Sequence, residues 1–253
     1  MSILSCGKVV KDFGGVRALN HFDIEIQEGS IHGLIGPNGS GKTTFFNVVS
    51  GLLPATSGEI RFQGQNITRL EPFAITRQGI SRTFQKAQLI PTLSCLENVM
   101  AGAYPRTSLD VAGTFFRPPF RASAQEKRMC LKAMELLDFV GLKASAGRWA
   151  SDLVWVETQL LQIARALAAE PKLLMLDEPS AGMGEEERSR VEAIIRQIKQ
   201  MGVTVILVAH DVKLVRRLSD FVTAINFGEK IAEGSPDQVL SDPKVAEAYL
   251  GKK

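Results

Sequence analysis

The run GPNGSGKTT at residues 36–44 constrains this chain more than any other feature. It fits the spacing G-x-x-x-x-G-K-[ST] through Gly36, Gly41, Lys42 and Thr43. An apolar segment, residues 31–35, leads into it, and the stretch from Thr43 to Leu53 reads as a helix carrying Phe46, Val49 and Leu53. Glycines let the backbone turn its N–H groups towards phosphate oxygens, and a helix behind them adds the positive end of its dipole. The whole loop, Gly36, Pro37, Asn38, Gly39, Ser40, Gly41, Lys42, Thr43 and Thr44, is therefore expected to cradle a nucleoside triphosphate. Lys42 is expected to reach the β- and γ-phosphates and the Thr43 hydroxyl to ligate Mg2+.

Two further segments end in polar groups at the edge of a buried strand. LLMLDEP, residues 173–179, delivers Asp177 and Glu178 to a C-terminal strand edge, where open α/β sheets place their ligands. Successive residues of an extended strand point in opposite directions, so Asp177 is expected to hold the Mg2+ shell while Glu178 faces a different atom, such as an attacking water. VTVILVAHD, residues 203–211, brings His210 to the end of another buried strand, within reach of a γ-phosphate or of that water. An Asp-Glu pair before proline is otherwise a solvated turn, and a histidine at a strand end is otherwise structural; the phosphate loop is what favours chemistry for both.

The remaining pattern sets the fold. Phe22, Ile24 and Ile26 alternate with Asp23, Glu25 and Gln27, as Ile60 and Phe62 do with Glu59, Arg61 and Gln63, which predicts half-buried antiparallel strands. Residues 173–176 and 203–209 are apolar almost throughout, as parallel strands covered on both faces are. Val191, Ile194, Ile195, Ile198 and Met201 recur at helical spacing after Glu185, so strand, helix and strand alternate as in a parallel α/β core. Residues 86–165 carry few strand signals and at least two helical ones, among them the stripe Met129, Ala133, Leu136, Leu137 and Val140, which predicts a helical lobe inserted into the core. Tyr104 to Phe120, with three prolines, reads as a loop. The chain is expected to be one domain of 253 residues, with a nucleotide-binding core in 1–85 and 166–253 and a helical subdomain in 86–165.

Composition narrows the partners. Thirty Lys and Arg against twenty-seven Asp and Glu give a net charge of +3, too weak a bias to indicate nucleic acid. Cys6, Cys95 and Cys130 are scattered and lack metal-ligand spacing, which predicts free thiols in a reducing compartment. The start, MSILSCGKVVKD, does not read as a secretory signal, and the apolar run 203–209 is far shorter than the roughly 20 residues that span a bilayer.

Taken together, KDFGGVRALN at 11–20, GPNGSGKTT, VSGLLPATSGEIRFQGQNIT at 49–68, SRTFQ at 81–85, IARALAAEPKLLMLDEPSAGM at 163–183 and AHD at 209–211 resemble the ATP-binding subunit of ABC transporters over essentially the whole chain. FGGVRALN, the SAGM after Asp-Glu-Pro and the ending AEAYLGKK make it most similar to those of branched-chain amino-acid uptake systems. The resemblance implies a P-loop NTPase core with a mainly parallel sheet, an N-terminal antiparallel β subdomain and the inserted α-helical lobe. It implies that Phe13 stacks on adenine, the alternative being a core or hairpin phenylalanine. Gln85 would touch Mg2+ and the attacking water, Glu178 would be the general base, and His210 would contact the γ-phosphate. Two such subunits clasp two ATP molecules, each site finished by the partner's signature motif, beneath an integral-membrane permease served by an external solute-binding protein. The chain is then a cytoplasmic ATPase, peripheral on the inner face of the cell membrane, with its permease contact around residues 86–104; most of Leu89, Ile90, Leu93 and Leu96 are expected to be core of the lobe. Urea or short amides are alternative cargoes. Other readings are a soluble ATPase of the same kind acting on nucleic acid or ribosomes, a small phosphate-loop kinase, and a non-hydrolysing ATP-binding scaffold.

One segment departs from the family pattern. Where an LSGGQ-type signature belongs, residues 153–157 read LVWVE. Val154 replaces the serine, Trp155 falls where Gly or Tyr is usual and Val156 where Gly is, and Glu157 replaces glutamine. The resemblance implies that the serine hydroxyl serves the opposite subunit's γ-phosphate, and losing a hydrogen bond to a charged group costs about 1.5–3 kcal/mol. An asymmetric heterodimer follows as the expectation, with a normal signature supplied by a different ATPase subunit. The alternative is that LVWVE docks through its backbone N–H groups.

Overall fold

A computed structural model describes residues 1–106 and 124–250. The chain divides into two compact units, Met1–Gln85 with Lys172–Lys253, and Lys86–Pro171.

The first unit contains two sheets. Strands β1 (Ser2–Phe13), β2 (Val16–Gln27), β4 (Ser57–Phe62) and β5 (Gln65–Asn66) form an antiparallel sheet in the order β2-β1-β4-β5. In β2 the buried Phe22, Ile24 and Ile26 alternate with exposed neighbours, so one face is core and the other solvent. β1 shows no such alternation, because the register slips between Cys6 and Val9, and Lys8 takes a left-handed φ of 49°. The slip lets Val9 and Val10 both turn inward.

The second sheet has the order β10-β9-β3-β8-β7-β6, from β3 (Ile31–Ile35), β6 (Ile80–Arg82), β7 (Leu173–Asp177), β8 (Thr204–Val208), β9 (Phe221–Asn226) and β10 (Glu229–Gly234). All pairs are parallel except β9 with β10. Every residue of β3, β7 and β8 is buried, which is why these strands read as continuous apolar runs. The core draws on both sheets and on helix α1 (Lys42–Val49), whose Phe45 meets Phe22 edge-on at 5.3 Å between ring centroids. α1 is shorter than its apolar spacing suggests: it stops at Val49, where the Ser50 hydroxyl donates to the Phe46 carbonyl and Gly51 turns left-handed at φ 74°. Leu53 packs on the core from outside the helix.

Helices α2 (Pro72–Gln78) and, further along the chain, four more complete this unit. Among them, the helix Glu185–Gln200 buries Val191, Ile194, Ile195 and Ile198 as its spacing predicts, whereas Met201 caps its end and is exposed.

In the second unit α3 (Cys95–Gly102), α4 (Ala124–Phe139) and α5 (Trp155–Leu167) pack on one another, and none of its described residues lies in a strand. α5 runs through residue 165, so the helical unit extends beyond the edge expected there. Numbering onward in chain order, α6 is Glu185–Gln200, α7 Val212–Leu218, α8 Pro236–Leu240 and α9 Pro243–Leu250. Ser94 caps α3 with a reciprocal hydrogen-bond pair to Glu97. The buried Asn98 holds the preceding turn by donating to the carbonyls of Ile90 and Leu93. The expectation that Leu89, Ile90, Leu93 and Leu96 are mostly core is not met: Ile90 is exposed and the others are half-buried, because Asn98 and backbone bonds, rather than apolar packing, shape this turn. Tyr104–Arg106 forms a 3-10 turn, and the rest of the expected loop lies outside the described residues. Cys6 and Cys95 are buried free thiols and Cys130 is a half-buried one.

His32, on β3, is fully buried and shares a hydrogen bond of 2.8 Å with the Thr223 hydroxyl. Burial lowers its pKa to about 4. An unfolded imidazole titrates near 6.5, so between those values the unfolded chain binds more protons. Stability from the neutral buried imidazole is complete above about pH 6.5 and is lost as the pH falls towards 4, a change of the order of 3 kcal/mol. Urea unfolding between pH 7 and 4.5 should show this slope, and the variant His32→Leu should flatten it.

Candidate functional site

The phosphate loop leaves β3 at Ile35 and enters α1 at Lys42. Two of its glycines are sterically required. A Cβ at Gly36 would lie 2.1 Å from the Ile225 carbonyl oxygen, and one at Gly41, which sits at φ 113°, would lie 2.6 Å from that of Ala18. The loop is also clasped from outside: the Gly228 N–H, in the β9–β10 turn, donates to the Ser40 carbonyl, and the Asn20 N–H donates to the Gly228 carbonyl.

No side chain caps α1, so its first N–H groups face the hollow of the loop. The Lys42 ammonium is folded back onto the carbonyls of Gly36 and Pro37, at 2.7 and 2.9 Å. Burial lowers its pKa, against the pull of Glu178 and Asp177, which raises it. Thr43 is exposed, and the buried Ser40 hydroxyl has no hydrogen-bond partner. A loop of unspent N–H groups, a cation and an unpaired hydroxyl is chemically suited to an oxyanion ligand.

The acids lie at the end of β7. Asp177 is only 4% exposed; desolvation raises its carboxyl pKa, with the Arg82 guanidinium as the largest opposing influence. Glu178 leaves the strand in the left-handed region at φ 50°, its N–H donating to the Val208 carbonyl. The chain turns at Glu178 instead of continuing as a strand, and the two carboxylates meet different partners, with Arg82 nearest Asp177. Two neighbours converge on Glu178. His210 Nε2 lies 2.6 Å from its Oε1, and Gln85 Nε2 donates to its Oε2 at 3.3 Å. Asp211 caps α7 through the N–H groups of Lys213 and Leu214, and pairs with Arg188 of α6 at 2.9 Å, which fixes the turn that carries His210. A cavity of about 260 Å3 opens beside this group, lined by Glu178, Ser180, Arg188, His210 and Asp211.

Phe13 closes β1 at the turn into β2 and is 46% exposed, with the Lys11 ammonium 5.1 Å from its ring centre. It is a hairpin residue and not a core one. In the helical unit, Val154 precedes α5 and is 64% exposed, and Trp155 is exposed as well. Glu157 accepts the Val154 N–H at 3.2 Å and pairs with Arg148 at 3.0 Å.

Sequence reasoning missed Arg82 and Thr83 as neighbours of Asp177, and Arg188 as the support of the turn that carries His210. Arg82 stands in a run that carries only the family resemblance, and β6, Ile-Ser-Arg, is too short and too polar to read as a strand. The Thr83 hydroxyl accepts the Asp177 N–H at 3.2 Å.

The comparisons agree with this geometry. The ABC transporter family profile matches residues 19–181, and that of the branched-chain amino acid ATP-binding cassette transporter matches residues 229–253. The high-affinity branched-chain amino acid transport ATP-binding protein BraF of Pseudomonas aeruginosa is 37% identical over 252 residues, covering 99% of this chain and 98% of its own. LivG of Escherichia coli, described in the same words, is 34% identical over 251 residues with the same coverage. Among solved structures, a nucleotide-free ATP-binding cassette from an ABC transporter superposes with a TM-score of 0.85 at 33% identity, covering all of both chains. An ATP-binding cassette in its ADP conformation gives 0.86 at 33% identity, again over all of both chains. A chain with this phosphate loop, these acids and this length of similarity belongs to the ABC transporter family, as one of its ATP-hydrolysing cassettes.

Proposed function

We propose that this chain is the ATPase subunit of an importer for branched-chain amino acids, working beneath an integral-membrane permease that receives its cargo from an external binding protein. The convergence of Gln85 and His210 on Glu178, on the same sheet edge as the phosphate loop, is the observation that carries the hydrolytic part. Similarity to BraF and LivG along the full chain carries the cargo. In this reading the spans belong to the permease and this chain is a peripheral subunit on the cytoplasmic face; none of its described helices is long and apolar enough to cross a membrane.

In this reading Phe13 stacks on adenine, and Lys42 releases its two loop carbonyls to take phosphate oxygens. The N–H groups of residues 39 and 41–44 complete the cradle. The Thr43 hydroxyl, the Gln85 amide oxygen and the Asp177 carboxylate are hard oxygen donors of the kind Mg2+ takes. Among the described residues no group of three or more His, Cys, Asp or Glu side chains is placed to hold a metal, so the ion would share its coordination with the nucleotide. Mg2+, when bound, neutralises charge on the phosphates. Glu178 is the general base, taking a proton from water on its carboxylate oxygen; His210 orients that carboxylate and meets the γ-phosphate. Removing a general base costs about 100-fold or more in rate. Glu178→Gln in the assembled complex should therefore lower turnover by about two orders of magnitude and leave ATP trapped, read by nucleotide retention after gel filtration. Unaltered turnover would exclude Glu178 as the base.

The LVWVE segment supports an asymmetric pair. Val154 carries no hydroxyl to offer a partner's γ-phosphate, and its side chain and that of Trp155 stand exposed where a compact backbone is expected. This chain's own phosphate loop is then completed by a normal signature on a second, different ATPase subunit, while the reciprocal site is weak. The purified chain should hydrolyse ATP slowly, and adding the second subunit should raise the rate at least about tenfold, in line with the 1.5–3 kcal/mol of a hydrogen bond to a charged group. Rapid turnover by the isolated chain would favour LVWVE docking through backbone N–H groups in a homodimer.

A further inference from the structure

Arg82 is a buried charge to which the proposed chemistry gives no task. It ends β6 with its side chain 7% exposed, a rare position for an arginine unless its charge is matched. Its planar group lies against two rings, 4.3 Å from the centre of Phe84 and 5.6 Å from that of Phe46. One nitrogen, Nη1, donates to Asn47 Oδ1 at 2.7 Å and to Ser50 Oγ at 3.1 Å. The other, Nη2, stands 3.7 Å from Asp177 Oδ2.

These contacts have a consequence for the metal site. Asn47 lies on α1 and Ser50 caps it, and α1 is the helix that opens with Lys42 and Thr43. The guanidinium thus joins the strand that carries Asp177 to the helix that carries Thr43. It does so without a short hydrogen bond to the carboxylate. A charge-assisted N–H···O bond is about 2.7–2.9 Å, and at 3.7 Å the attraction fixes the side of Asp177 while leaving its lone pairs for another ligand. A lysine at this position would keep the charge, but its single compact head cannot reach Asn47, Ser50 and Asp177 together or stack between two rings.

We propose that Arg82 is a positioning residue that holds the Asp177 carboxylate and, by its C-terminal end at Asn47 and Ser50, helix α1 in one frame, so that the helix sets the spacing at which Asp177 and Thr43 receive Mg2+. This rests on the reading of Asp177 as a metal ligand.

The test is equilibrium binding of a fluorescent ATP analogue to the full chain, in EDTA and across a Mg2+ titration, alongside melting temperature without nucleotide. Groups that orient a metal ligand typically change metal affinity by about 10–100-fold when altered. Arg82→Lys should raise the half-saturating Mg2+ concentration about tenfold and change nucleotide affinity in EDTA by less than about twofold. A merely structural arginine would weaken binding equally with and without Mg2+, and that result overturns the proposal. So does an unchanged or lowered Mg2+ requirement, the latter because it would make Arg82 a competitor of the metal. Asn47→Ala, which releases the guanidinium at its other end, should shift the Mg2+ requirement in the same direction and gives the same reading should Arg82→Lys fold poorly. Asp177→Asn separates the two levels: if it leaves the Mg2+ requirement unchanged, the metal reading fails whatever Arg82 does.

Discussion

Strands β3, β8 and β7 pair in parallel so that Leu34 stands opposite Val208, and Val208 opposite Asp177. The phosphate loop, the turn to His210 and the two acids therefore leave the sheet along a single row. No separate device is needed to bring residues 36–44, 177–178 and 210 together, since the register alone aligns the three strand ends. The parallel order that makes this possible requires crossover connections, and in this chain α6 supplies the one between β7 and β8. Site and core are set by the same register.

The second requirement is close backbone approach. The carbonyls of Ala18 and Ile225 stand where side chains at positions 41 and 36 would have to be, and the Gly228 turn binds both Ser40 and Asn20. The loop is thus held by main-chain contacts from β2, β9 and the hairpin after β9. The Lys42 ammonium is engaged with loop carbonyls that a ligand can replace. A left-handed glutamate adds to this picture: at φ 50° Glu178 accepts a backbone conformation that costs roughly 1–2 kcal/mol in a residue with a Cβ. Bonds from its N–H to Val208 and from its carboxylate to Gln85 and His210 hold it there. Strain of this kind is typical where a side chain must be aimed.

What the sequence showed followed from burial. β3, β7 and β8 were readable because both their faces are covered, and β2 and β4 because one face is. β1 was not, because its bulge puts Val9 and Val10 on the same side and erases the alternation that marks a strand. The phosphate loop and the Asp-Glu pair carry their chemistry in their spacing. Gln85 does not: it is one glutamine among several, and only family likeness singled it out before the fold put its amide on Glu178. Arg82 was invisible for a related reason. Its meaning lies in Asn47, Ser50 and Asp177, three residues that are distant in the chain and that no local pattern connects.

The LVWVE segment separates folding from ligand chemistry. A serine before a helix normally caps it by accepting an N–H from the first turn, and losing such a cap costs about 1 kcal/mol. Val154 offers no acceptor, yet α5 starts at the next residue. Glu157 provides half of the usual reciprocal arrangement, accepting the Val154 N–H, while its charge near the helix N-terminus is favourable and is matched by Arg148. Below this start the helix buries Leu160, Leu161, Ile163 and Ala164, so packing secures it independently of the cap. The local fold thus survives without the serine. Under the proposed function, what the absence of a serine removes is a hydroxyl at an exposed helix start, open to a ligand arriving from outside this chain.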